Sequence, residues 1–112
     1  MSIRPSGLEA AAAARAYVAL LKDRAARGDA ERRKIVHMLS ALVRPMAAIE
    51  AAVARGDEDD LADALLAIPG SGKDFDAIEF DPSRYPATAG AFATLVHAKA
   101  KFYIDLDPSL RK

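Results

Sequence analysis

Cysteine is absent from the chain, tryptophan is absent too, and histidine occurs only as His37 and His97. Without cysteine there are no disulfides, no thiolate metal ligands and no cysteine nucleophile, which suits a reducing compartment. Neither histidine has a carboxylate three or four residues away, so no helical metal pair is encoded, and both read as structural or surface residues. None of the six serines lies in a nucleophile-elbow motif. Catalysis has no signature here, and the chain reads as a non-enzymatic protein without metal or cofactor. Long uncharged runs are missing as well. The longest stretch free of Asp, Glu, Lys and Arg runs from Tyr85 to Ala98, contains Pro86 and Gly90, and is too short to span a bilayer. The first turn's worth of candidate leader is interrupted by Arg4, Glu9 and Arg15 and does not read as a secretory signal. The expectation is a cytoplasmic protein that does not use a membrane.

What is present in excess is alanine, 26 of 112 residues. Alanine favours helices and lets them approach closely, but it fills little volume. A core built on it needs bulk from elsewhere. Six of the seven aromatics (Phe75, Phe80, Tyr85, Phe92, Phe102 and Tyr103) lie in the last 40 residues, so the C-terminal third is expected to pack onto the N-terminal helices. The alanine and arginine bias also suggests a bacterial or bacteriophage source of high genomic GC content. The formal net charge is zero, yet residues 1–56 carry ten Lys/Arg against five Asp/Glu, and residues 57–112 carry six against eleven. Halves of opposite sign attract each other within one fold or between copies, which makes a homo-oligomer an expectation.

The length allows one domain, 1–112, and apolar periodicity divides it into helices. The first is expected over 8–27, with Leu8, Ala11, Ala14, Val18, Leu21 and Ala25 on its inner face and Tyr17 and Leu20 widening the stripe. The second, about 30–55, has the clearest pattern: Ile35, Leu39, Leu42, Met46, Ile49 and Val53 step by 4, 3, 4, 3, 4, the spacing of a helix seam. Pro45 lies inside it and predicts a kink or a break, the continuous register favouring a kink. Both helices run into Ala-Arg-Gly-Asp, at 26–29 and 54–57, which reads as a glycine C-cap followed by an aspartate N-cap. A short third helix is expected over 57–68 and a last long one over 87–105, with Phe92, Leu95, Val96, Phe102 and Tyr103 facing inward. Between these two lies an irregular stretch at about 69–86. The fold class is all-α, a compact bundle of three to four helices with one irregular loop, built as an antiparallel hairpin of the first two helices covered by the last.

Three motifs invite chemistry and decline it. Gly70-Ser71-Gly72-Lys73 resembles part of a phosphate-binding loop, but Ala67 and Asp74 stand where that loop needs glycine and Ser or Thr. Asp74, Asp76, Glu79 and Asp81 lack the spacing of a calcium loop and read as a solvated acidic segment. Lys22, Arg24, Arg27, Arg32, Arg33 and Lys34 crowd the first interhelical turn and could grip a phosphate backbone, although Asp23, Asp29 and Glu31 interleave with them.

The reading is therefore a protein–protein interaction or assembly protein, an adaptor, structural component or regulator. It would act through a helical face or through the 69–86 loop, whose Phe75, Ile78, Phe80 and Tyr85 are costly to leave in water. The partner would be another protein or a second copy. The alternative is a nucleic-acid-associated regulator that uses the basic turn at 22–34.

Overall fold

The computed structural model describes residues 2–27, 32–68 and 86–107. Among them are four helices: α1 (Pro5–Ala26), α2 (Arg32–Arg55), α3 (Glu58–Leu66) and α4 (Pro86–Leu106), with no strand. The all-α bundle expected from periodicity is the fold observed.

Helix α1 begins three residues earlier than the apolar pattern indicated. Pro5 occupies its first position, where a missing N–H costs nothing and the fixed φ suits a helix, and the Arg4 carbonyl accepts from the amides of Gly7 and Leu8 at 3.0 and 3.2 Å. The end of α2 follows its sequence signal closely. Gly56 takes φ 69°, its amide donates to the Val53 carbonyl at 3.1 Å, and the Asp57 amide donates to the Ala52 carbonyl at 3.0 Å. Asp57 then opens α3: its carboxylate accepts from the Asp60 amide at 3.0 Å, and Glu58, Asp59 and Asp60 sit at the positive end of the helix. The equivalent Gly28 and Asp29 lie outside the described residues.

Helix α1 is the centre of the bundle. Helix α2 runs antiparallel to it, with Arg15 reaching Glu50 and Arg32 Nε donating to the Ala25 carbonyl at 3.1 Å. Helix α4 lies antiparallel along the other flank of α1, so Phe102 packs near Gly7 while Arg24 meets Thr88. The backbones of α2 and α4 make no direct contact. The last helix therefore covers α1 alone rather than the whole hairpin, and α3 packs against α2, α1 and α4. Tyr103 ties α4 to α3 by donating its hydroxyl to the Ala62 carbonyl at 3.1 Å.

The inner faces match the sequence reading at their centres and differ at their edges. In α1 the buried row is Ala10, Ala14, Tyr17 and Leu21 with Ala11, while Val18 and Ala25 are half-buried and Leu8 is exposed. Tyr17 is the bulkiest side chain α1 sends into the centre, where its ring meets Phe92 at 5.6 Å. In α4 the row is Thr88, Phe92, Leu95 and Phe102; Tyr103 is half-buried and Val96 is exposed. The requirement for aromatic bulk from the C-terminal third is met by Phe92 and Phe102.

Candidate functional site

Helix α2 is more apolar than its burial explains. Its core row is Ile35, Met38, Leu42, Pro45, Ile49 and Ala52, stepping 3, 4, 3, 4, 3, and the helix continues unbroken through Pro45. The seam expected from sequence straddles two rows. Ile35, Leu42 and Ile49 belong to the core, whereas Leu39, Met46 and Val53 are half-buried at its edge. Beyond that edge lie Val36 and Val43, exposed by 43% and 66%. An 18-residue window of α2 has mean hydropathy 1.3 but is only 33% buried. By length and composition alone α2 could cross a bilayer, a property missed when only charge-free runs were counted, because Arg44 and Glu50 interrupt it. One of its faces is nonetheless packed into the core with α1 and α3.

The surplus apolar surface lines a trough between α1 and α2. Two adjoining cavities of about 350 and 240 Å³ share Val18, Lys22 and Met46. The upper one is completed by Leu39, Leu42 and Val43, and the lower one by Ala19, Ala47 and the ion pair of Arg15 with Glu50. Arg15 Nε meets Glu50 Oε1 at 2.5 Å and raises no opening for another cation there; its own guanidinium is held above its ordinary pKa mainly by that hydrogen bond. Lys22, on the rim, is exposed and makes no ion pair or hydrogen bond among the described residues. A second open groove of about 550 Å³ lies between α2 and α3, floored by Pro45, Ala48, Ala51, Ala64 and Ala67.

The six basic residues of the interhelical turn are brought to one end of the bundle, but several are already engaged. Arg24 donates to Thr88 Oγ1 at 2.7 Å, Arg27 pairs with Asp23 at 3.0 Å, and Arg32 holds the Ala25 carbonyl. Arg33 and Lys34 are exposed, as is Lys22. Phe75, Ile78, Phe80 and Tyr85 lie outside the described residues, as do the Gly70–Lys73 and Asp74–Asp81 motifs. His37 and His97 are both exposed, on helices that do not touch, so they do not meet. Among the described residues no three His, Cys, Asp or Glu side chains gather to hold a metal ion.

The opposite end of the bundle is closed by Arg4. Its Nε donates to Glu58 Oε2 at 2.7 Å, its backbone amide to the same oxygen at 3.0 Å, and Nη1 to the Asp105 carbonyl at 2.6 Å. One side chain thus joins the starts of α1 and α3 to the end of α4. These hydrogen bonds hold the Glu58 carboxyl below the usual range.

Val36 and Val43 are the exposed apolar residues of α2 that the seam did not announce, Val43 alone of the two lining the trough. Their signal was the width of the apolar arc on α2, which spans three rows where a core-facing helix needs two. Comparison of the chain with protein-family models, with curated proteins and with solved structures found no match.

Proposed function

We propose that this protein works without catalysis, as an interaction module that docks a protein partner along the α1–α2 face. The observation that carries the reading is the row Val36, Leu39, Val43 and Met46. It is a continuous apolar strip on a helix whose inner face is already satisfied, and its Leu39, Val43 and Met46 line a formed trough. Leaving side chains of this kind in water forgoes about 1.5–3 kcal/mol each, and scattered exposure would not place them in one line. Adaptor, assembly component and regulator all use such a face, and the surface chemistry does not choose among them.

The test is native mass spectrometry of the protein purified from its own host, with Val43→Glu beside the wild type. The variant should keep its helical circular dichroism and lose the associated species. If the wild type carries no associated species, or Val43→Glu retains them all, this face is not the docking site. The aromatic segment with Phe75, Ile78, Phe80 and Tyr85 stays a second candidate on sequence grounds. There, Phe75→Ala with Phe80→Ala should release a partner without loss of stability if those side chains recognise it. Nucleic-acid binding through Lys22, Arg24, Arg27, Arg32, Arg33 and Lys34 is the weaker alternative, because Arg24, Arg27 and Arg32 are occupied within the fold.

A further inference from the structure

Resting on that docking face, we infer that its occupant is an amphipathic helix of about three turns with acidic residues along its flank. Length comes first. The trough is lined from Leu39 to Glu50, about 16 Å at a helical rise of 1.5 Å per residue, which matches roughly eleven residues of an antiparallel or parallel partner helix. Shape comes next. The floor includes Leu42, which is 1% exposed, while Val43 on the ridge is 66% exposed. A concave channel between two helices receives the apolar stripe of a third, whereas a flat bilayer surface would touch only the ridge.

Charge decides the flank. Glu50 is the only carboxylate lining the trough, and Arg15 already holds it in a two-point contact, Nε at 2.5 Å and Nη2 at 3.3 Å. Lys22 lines both cavities and, among the described residues, has no ion-pair partner. The unpaired charge along the channel is thus positive. A partner carboxylate beside Lys22 meets an attractive field, and a partner lysine there meets repulsion. A second copy is disfavoured on the same ground. Two copies related by a two-fold axis across this face would bring Lys22, which sits midway along the trough with Leu39, Val43 and Met46, close to its own symmetry mate.

The experiment uses two synthetic fifteen-residue peptides, each with leucines at three- and four-residue steps. One carries glutamates on both flanks and the other lysines, and binding to the full chain is read by fluorescence anisotropy. The glutamate peptide should bind at least tenfold tighter than its lysine twin. Lys22→Glu should reverse that preference, and Val43→Glu should abolish binding of both while the melting curve stays that of the wild type. Equal affinity for the two peptides, or a preference indifferent to Lys22→Glu, overturns the acidic-helix assignment. A wild-type dimer dissociated by Val43→Glu, or phosphatidylglycerol vesicles bound by the wild type and not by Val43→Glu, overturns it too while leaving the docking face in place. Binding of neither peptides, copies nor vesicles overturns both.

Discussion

Gly7 shows how an alanine-rich bundle admits an aromatic. A Cβ at this position would stand 2.7 Å from Ile3 Cγ2 and 2.9 Å from Phe102 Cε1, closer than packed atoms tolerate. The missing side chain is the space that Phe102 occupies, and Phe102 is wholly buried. Gly7→Ala should therefore destabilise the fold by about 1–2 kcal/mol in chemical denaturation, overpacking outweighing the better helix propensity of alanine. A gain in stability instead would mean that Ile3 moves freely out of the way. Tyr103 offers a second test at this scale. Burial, with Asp63 adding its negative charge, pushes its hydroxyl up to about 12 from an ordinary 10.0. A raised folded value gives stability that is complete below pH 10 and lost as pH climbs toward 12. Tyr103→Phe should remove that alkaline component and cost about 1 kcal/mol at neutral pH through the lost bond to Ala62. Unfolding curves at pH 8 and pH 11 for both proteins decide it: a wild-type advantage that is undiminished at pH 11 contradicts the assignment.

At the scale of elements, α2 sets the question because it keeps a proline in its core row. Pro45 deprives Ala41 of an amide partner, which costs up to about 3 kcal/mol in a helix interior. Its ring is nonetheless buried, and two methylenes are worth about 1.6 kcal/mol. The first effect is larger, so Pro45→Ala should stabilise the protein by about 1 kcal/mol and raise the melting temperature by several degrees. A lowered melting temperature would show that the burial of the ring dominates. The helices themselves were legible in the sequence wherever local chemistry settles them, as at Gly56 and Asp57. Faces were legible at their centres and not at their edges. Periodicity identifies an apolar arc, but the edges of that arc are set by neighbours. On α1, Tyr17 is wholly buried and meets Phe92 while Val18 is half-buried; on α2, Pro45 and Ala52 are buried while Met46 and Val53 are half-buried. The groove lies along those edges. Leu39 and Met46 were visible as part of a seam, while Val36 and Val43 emerged only once α1 and α3 had claimed the other rows.

Across the whole molecule, the opposed charges of the two halves are partly answered inside the fold. Arg4 with Glu58, Arg55 with Asp60 and Lys101 with Glu9 each join a residue of the first half to one of the second. All three pairs are at least partly exposed, and such pairs are worth about 0–1 kcal/mol each. Raising salt from 50 mM to 1 M should therefore leave the melting temperature within a few degrees, since screening removes only these modest terms. At the basic end the same titration discriminates between functions. With Arg24, Arg27 and Arg32 engaged by Thr88, Asp23 and the Ala25 carbonyl, Lys22 and Arg33 are the exposed cations left to meet phosphates. Two phosphate contacts give a salt dependence with a log–log slope near −1.8, far shallower than that of a dedicated DNA-binding protein. Any binding to mixed-sequence duplex should be weak, should vanish by physiological salt, and should lose about one unit of slope in Arg33→Ala. Tight binding that survives 0.3 M salt would require the engaged arginines to release their partners, and would make the basic turn the working surface in place of the α1–α2 groove.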